Sequence, residues 1–68
     1  MSIIYKIDVL SELKDHGYSS YKLRKDKIMG ESTLKRIRHN EMISWDTLAL
    51  ICKLLQCQPG DLLEYVDD

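Results

Sequence analysis

The stretch ESTLKRIRHN, residues 31–40, carries a set of hydrogen-bond donors at helical spacing. At about 100° per residue, Leu34 and Ile37 fall on one side of a helix and the polar residues fall on the other. That polar side, called the outward face below, consists of Ser32, Lys35, Arg36 and His39. Two cations, a hydroxyl and an imidazole on one face can bind an anion and donate hydrogen bonds to a ligand. The plainer alternative is a solvated surface helix with a narrow stripe packed on the core.

Patterns typical of catalysis and metal binding do not occur in the sequence. His16 and His39 have no nucleophile at a plausible spacing, and there is no glycine-rich phosphate-binding loop. Cys52 and Cys57 lie five residues apart with no histidine nearby, whereas zinc sites need paired ligands with a second pair elsewhere. We therefore expect no enzymatic activity, no metal site and no cofactor. Both cysteines are expected to be unpaired packing residues.

The net charge of −1 is unevenly distributed along the chain. Residues 22–39 contain seven basic and two acidic residues, whereas residues 40–68 contain one lysine and six acidic residues. The basic middle of the chain favours a polyanionic partner, and the acidic C-terminal third does not. The 68 residues suffice for one domain, without a signal peptide or an apolar run that could span a membrane. We expect a cytoplasmic protein with no membrane partner.

Short helices are predicted around the outward face. Apolar spacing indicates a first helix over about residues 6–16, and residues 3–5 before it fit either an extended start or a first turn. Ser19 is a suitable N-cap for a second helix over about residues 20–27. The outward face belongs to a third helix over about residues 31–39.

A fourth and a fifth helix follow. Ser44 caps the fourth helix, whose apolar residues recur at i, i+3, i+4 and i+7. Trp45, directly after this cap, is expected to be a packing residue, the alternative being an anchor for a partner. Pro59 begins a short fifth helix, which Leu62 and Leu63 anchor. β-structure has little support, because apolar–polar alternation does not persist anywhere in the chain.

The second and third helices, joined by a turn of about three residues, follow the helix-turn-helix plan. In that plan the later helix protrudes and fits the major groove of DNA. Arginine can pair with guanine there, short polar side chains can reach base edges, and surrounding cations meet phosphates. The outward face therefore has a specific candidate ligand.

Three segments carry a resemblance to a known family: SSYKL, STLKRIRHNE and ISWDTLALICKLLQCQPGDLLEY. With these segments in this order, the chain resembles the phage-repressor and Cro family of helix-turn-helix regulators. Within that family it is similar to the short stand-alone bacterial members of the XRE-like group. The resemblance spans about residues 9–65. It implies an all-α fold, a compact five-helix bundle of the lambda-repressor-like DNA-binding type, in a single domain over residues 1–68. It also implies a sequence-specific regulator of double-stranded DNA. Repression by occlusion is the simpler mode, because no effector domain is present.

The resemblance assigns DNA-binding roles to particular residues. Glu31, Ser32 and Arg36 correspond to base-reading positions, and Thr33 and Lys35 to positions that meet a base edge or a phosphate. Ser20 opens the second helix, where the family often contacts DNA. The positions near contacts with the DNA backbone are Ser19, Lys22, Arg38, His39 and Asn40. His39 also fits a plain helix-end surface residue. Glu31 is unusual as a DNA contact: it either accepts from a cytosine amino group or only favours the helix dipole.

Two positions depart from the pattern of the family. Where Arg24 stands the family usually has a small residue, which implies either a splayed helix pair or an arginine directed outward. Where Ile28 stands the family usually has glycine, and we expect Gly30 to supply the freedom of the turn instead.

A protein-interaction module, antitoxin-like or anti-repressor-like, is the alternative function. It would keep the fold without specific DNA binding, and the net negative charge, Glu31 and the apolar C-terminus favour it. The C-terminal helix is either core or the contact of a homodimer, since this family often pairs through its C-terminal helices. The residues of that contact would be Leu62, Leu63, Tyr65 and Val66.

Overall fold

The computed structural model describes residues 2–67, which form five helices and two short strands. In chain order the elements are β1 (Ser2–Tyr5), α1 (Val9–Asp15), α2 (Ser20–Lys25), α3 (Glu31–Arg38), α4 (Trp45–Leu55), α5 (Pro59–Leu62) and β2 (Leu63–Val66). Helix α1 begins later than predicted because Asp8 caps it: its carboxylate accepts a hydrogen bond from the Ser11 amide at 3.2 Å. Within residues 2–67, no helix has the length and apolar character needed to cross a membrane.

Four of the five helices formed by residues 2–67 end at a residue with a left-handed backbone. These residues are Gly17, Lys27, Asn40 and Gln56, with φ between 53° and 89°. Just after each of them, an amide donates to a carbonyl five residues earlier, as from Tyr18 to Leu13 (2.7 Å) and from Glu41 to Arg36 (2.8 Å). This closure pairs carbonyl groups that the end of a helix would otherwise leave without a donor. Local chemistry therefore sets where each of these helices stops.

The core consists of aliphatic side chains and one methionine, as the lack of phenylalanine in the sequence predicts. Each such side chain contributes about 1.5–3 kcal/mol when it is fully removed from water. All five helices contribute to this core, so the packing fixes each helix relative to the others. The buried residues are Val9, Leu13, Leu23, Met29, Leu34, Ile37, Leu48, Ile51, Leu55 and Leu62.

The prediction of little β-structure was wrong. Strands β1 and β2 pair antiparallel, with Ile3 opposite Tyr65. Residues 3–5 are extended, and Leu63–Val66, part of which was assigned to the fifth helix, forms the partner strand. The fold is thus a five-helix assembly with an added two-stranded sheet. A pattern of four residues at each end of the chain does not reveal the pairing, because each strand is defined by its distant partner.

Hydrogen bonds from the last residue of β1 and from the residue after it reach the loop after α3 and helix α5. The Tyr5 hydroxyl donates to the carbonyl of Glu41 at 2.8 Å, in the loop after α3, and burial raises the pKa of this phenol. The Lys6 amide donates to the carbonyl of Leu62 at 2.8 Å, and its ammonium donates to the carbonyl of Gly60 at 3.2 Å. The sheet is therefore connected both to α5 and to the exit of α3.

Trp45 is not a packing residue, because 85% of its surface is exposed. It is the first residue of α4 and lies almost one turn before Leu48, which is the first buried residue of that helix. The indole therefore extends beyond the end of the core. The prediction failed because it considered the place of Trp45 after the cap and not the distance of that position from the core.

The two cysteines are free and half-buried against the core, as small packing residues. Burial, assisted by the neighbouring Cys52 thiol and by the charge of Asp61, raises the pKa of the Cys57 thiol. Cys57 is thus held in its protonated form more firmly than an ordinary cysteine.

Candidate nucleic-acid interface

Residues 26–30 form the turn between α2 and α3, and the carbonyl of Leu23 organises it. This carbonyl accepts from the amides of Ile28 (2.9 Å) and Met29 (3.2 Å). The left-handed residue of the turn is Lys27, with φ of 56°, so the position where the family usually has glycine does not need one. Gly30 has φ of −80° and caps α3, so the prediction that it supplies unusual backbone freedom was wrong.

Helix α2 begins as predicted, with Ser19 as its N-cap. The hydroxyl of Ser19 accepts from the amide of Lys22 at 3.2 Å. Ser20 is the first residue of the helix and is half-buried, whereas Lys22 is exposed with its ammonium 5.4 Å from the centre of the Tyr18 ring. The N-terminal end of α2 therefore presents hydroxyl groups and a cation.

Helix α3 lies with one side in the core and the outward face in solvent. Leu34 is completely buried and Ile37 is 4% exposed. All four members of the outward face are exposed. Thr33 is half-buried at the edge between the two sides. The short helix thus holds a polar surface at a fixed orientation to α2, because its anchors are two fully packed aliphatic residues.

An ion pair spans the turn at the start of α3. Arg24 Nη1, in the last turn of α2, lies 2.8 Å from Glu31 Oε2, the first residue of α3. The hydrogen bond from Arg24 and its positive charge, with a contribution from Arg38, lower the pKa of the Glu31 carboxyl. The side chains are 48% and 61% exposed. Arg24 is therefore directed outward along the turn, and Glu31 is ionised at neutral pH.

The end of α3 brings three further predicted residues together. Arg38 is exposed in the last turn, and His39 is the C-cap residue. Asn40 adopts φ of 59°, and its amide donates to the carbonyl of Ile37 at 3.1 Å. Asn40 therefore terminates the helix, a role that asparagine fills readily because it tolerates the left-handed conformation.

An open concavity of about 630 Å³ lies beside this end of α3. It unites three predicted residues from α2, α3 and the following loop, and it adds a cation, Lys14, that the sequence reasoning missed. The signal for Lys14 was its place in the last turn of α1, immediately before the helix pair. Glu31 does not border this concavity. The polar residues around it are Asp8, Ser11, Lys14, Ser20, Arg38 and Asn40.

Two large apolar side chains near the exit of α3 are exposed: Met42, which the sequence reasoning missed, and Trp45, which it expected to pack. Met42 is 90% exposed and Trp45 is 85% exposed, on either side of the Ser44 cap. The hydroxyl of Ser44 accepts from the amide of Thr47 at 3.1 Å, which fixes the start of α4 as predicted. Trp45 is the first residue of the helix that this cap begins.

A family model described as a Cro/C1-type HTH DNA-binding domain matches residues 7–68. The chain belongs to this Cro/C1-type family. The match covers α1 to β2 and thus includes the helix pair, while β1 precedes it. The resemblance to phage repressors and Cro proteins, predicted from the three sequence segments, is confirmed.

The Cro/C1-type chain also matches a curated protein of Bacillus subtilis (strain 168). This relative, YozG, is named an uncharacterized HTH-type transcriptional regulator, and it is 35% identical over 68 residues. The alignment covers 100% of the chain and 81% of YozG. No solved structure matches the chain. The matched family model is that of a DNA-binding domain, and α2, α3 and the turn between them lie within the match.

Proposed function

We propose that the protein is a sequence-specific regulator of transcription in the cytoplasm, which docks α3 in the major groove of double-stranded DNA. The observation that carries this proposal is the exposed outward face on a helix anchored by Leu34 and Ile37. The name of the relative, an HTH-type transcriptional regulator, supports the regulatory role. We propose repression by occupancy of a promoter as the simpler mode of regulation.

The residues of α3 divide between base reading and backbone contact. Arg36 would pair with guanine, and Ser32 with a neighbouring base edge. Thr33 and Lys35 lie at the boundary between base edge and phosphate. Around them, backbone amides and side chains would hold the phosphates and set the register of the helix in the groove. The residues proposed for that second role are Lys14, Ser19, Ser20, Lys22, Arg38, His39 and Asn40.

The uneven charge of the chain supports a single docking orientation. Residues 22–39 are strongly basic and residues 40–68 strongly acidic, so phosphates attract the helix pair and repel the C-terminal third. Steering of this kind raises the rate of productive encounters even though the net charge is only −1.

A homodimer would place two such helices on two half-sites about one helical turn of DNA apart. Leu62 cannot serve the predicted contact, because it is 1% exposed and belongs to the core. Leu63 and Val66 are half-buried, whereas Tyr65 is 57% exposed and pairs across the sheet with Ile3, which is 62% exposed. We propose that this exposed pair, with Leu63 and Val66 at its side, meets the same surface of a second copy.

The proposal is tested by selection from random DNA duplexes at ~150 mM salt, a concentration that suppresses purely electrostatic binding. The parent protein is expected to enrich one motif, and a two-fold symmetric motif would support the dimer. Arg36→Ala is expected to lose about 1–3 kcal/mol on the best site and to relax its preference at one position. Unchanged affinity of Arg36→Ala for that site would contradict readout by α3.

The alternative function, a protein-interaction module that keeps the fold, is favoured by the exposed Met42 and Trp45. Two large apolar side chains on one surface segment are typical of contacts with another protein. Failure of the parent protein to enrich any motif would support this alternative.

A further inference from the structure

The Arg24–Glu31 ion pair places a carboxylate where the proposed function requires contact with a polyanion. Glu31 opens α3 and is exposed, so phosphates of a docked duplex would repel it. Arg24 contributes the compensating charge, at a distance of 2.8 Å between Nη1 and Oε2. The pair as a whole is neutral, and it therefore can approach DNA without the cost that an isolated carboxylate would have.

Within the part of the chain that the structure describes, one carboxylate oxygen of Glu31 is free to accept a hydrogen bond from a ligand. Arg24 Nη1 donates to Oε2, and the structure gives Oε1 no hydrogen-bond partner within residues 2–67. Because Arg24 keeps the carboxyl ionised, Glu31 can only accept hydrogen bonds. In the major groove the amino groups of cytosine and adenine are the donors, and a glutamate carboxylate suits the amino group of cytosine.

The space beside the pair is open. A shallow concavity lies against it, and among residues 2–67 no atom outside residues 29–31 lies within 4 Å of the position that a Cβ on Gly30 would occupy. A base edge could thus reach Glu31 without displacing a neighbouring side chain. The concavity is bordered by Arg24, Lys27, Met29, Gly30 and Glu31.

From this arrangement we propose that Glu31 reads one cytosine of the target site and that Arg24 is the residue that positions it. The inference rests on the proposed function, since it concerns which base the same α3 helix selects. A purely structural role explains the pair poorly, because an ion pair between side chains this exposed contributes little to folding stability. The role of Arg24 is to orient the carboxylate and to neutralise it.

The test is the same selection from random duplexes, carried out with the parent protein and with Glu31→Gln, Arg24→Gln and Arg24→Lys. The parent motif should contain a cytosine whose replacement weakens binding about tenfold or more. Glutamine both donates and accepts and suits adenine, so Glu31→Gln should change the preference at that one position from cytosine to adenine. Arg24→Gln should weaken the cytosine preference there, and Arg24→Lys should restore part of it.

Lys25→Gln is the matched control, because it removes a cation from the same turn of α2 without touching Glu31. Lys25→Gln should lower the affinity for all DNA sequences by a similar factor and leave the base preference at every position unchanged. Thermal melting should show that all four variants fold like the parent. If Glu31→Gln enriches the parent motif unchanged, or if Arg24→Gln behaves like Lys25→Gln, the inference is overturned while DNA binding stands. If the parent protein enriches no motif, the proposed function fails and the inference fails with it.

Discussion

Arg24 Nη1 lies 2.8 Å from Glu31 Oε2, so one ion pair joins the last turn of α2 to the first residue of α3. The two residues are seven positions apart, and neither the helical period nor the turn pattern predicts their contact. The pair gives Glu31 a definite chemical state and Arg24 a definite direction. The sequence alone left the direction of Arg24 open between an outward side chain and a splayed helix pair.

The ion pair predicts a titration that depends on Arg24. The hydrogen bond from Arg24 and its positive charge lower the pKa of Glu31 below the ordinary value of 4.5. Arg24→Gln should therefore raise this pKa toward that value. A lowered pKa stabilises the folded state above pH 4.5, and this contribution disappears as the pH falls through the folded-state value. A carbon-13 NMR titration of the Glu31 carboxyl measures the change. Lys25→Gln should leave the titration as it is, and equal pKa values in the parent and Arg24→Gln would contradict the ion pair in solution.

Contact between Lys22 and a phosphate predicts a change in the salt dependence of DNA binding. Each neutralised phosphate releases about one counterion, so Lys22→Ala should reduce the slope of log K against log salt by about one unit. Affinity should fall by a similar factor for all sequences. Lys53→Ala, in the last turn of α4, removes the same charge from the acidic third of the chain and should leave the slope unchanged. Fluorescence anisotropy across a salt series gives both slopes, and identical slopes for the two variants would refute the phosphate contact.

Because Trp45 is exposed, we expect removal of its large side chain to have a small effect on the stability of the fold. Trp45→Ala removes the whole indole, yet it should change the free energy of unfolding by less than about 0.5 kcal/mol, because the side chain has few contacts to lose. Ile51→Val, in the same helix but completely buried, should cost about 0.5–1.5 kcal/mol although it removes one methylene. Urea denaturation followed by circular dichroism compares the two. A larger loss for Trp45→Ala would show that the indole packs on the protein after all.

The left-handed end of α1 predicts that Gly17 and Gly60 respond in opposite ways to alanine. Gly17 has φ of 89°, so Gly17→Ala should destabilise the fold by about 1 kcal/mol, or about 5 °C in melting temperature for a domain of this size. Gly60 lies within α5, and an added Cβ would meet no atom of residues 2–67 within 4 Å apart from its chain neighbours and the backbone of the helix itself. Gly60→Ala should therefore be neutral or slightly stabilising, because alanine favours a helix. Thermal melting of Gly17→Ala and Gly60→Ala measures the difference. Equal decreases in melting temperature would exclude the backbone conformation of Gly17 as the cause.

The helices could be predicted because their signals are local. Apolar spacing located α3 to within one residue and identified the buried side of α4. The hydroxyls of Ser19 and Ser44 cap the starts of α2 and α4 as predicted. The features that were missed depend on residues far apart in the chain. The pairing of Ile3 with Tyr65 requires both ends of the chain. The exposure of Trp45 depends on where the core stops, which composition and period do not describe.

The candidate interface shows the same division. The period of α3 indicated which side chains leave the core, and all four members of the outward face are exposed. Lys14 was missed because only the packing of α1 beside Ser20 and Arg38 brings it to their concavity. The left-handed residue of the turn, Lys27, was missed because lysine carries no signal for that conformation.

Strand pairing between Ser2–Tyr5 and Leu63–Val66 closes a loop of nearly the whole chain. The entropy lost in closing such a loop grows with its length. Pairing of two strands of only four residues contributes little stabilising free energy against that loss. The two segments therefore meet only after the helices have assembled and brought them together. Sheet formation should be the last step of folding, and exchange of the strand amides with solvent would report on every partial opening of the helical core.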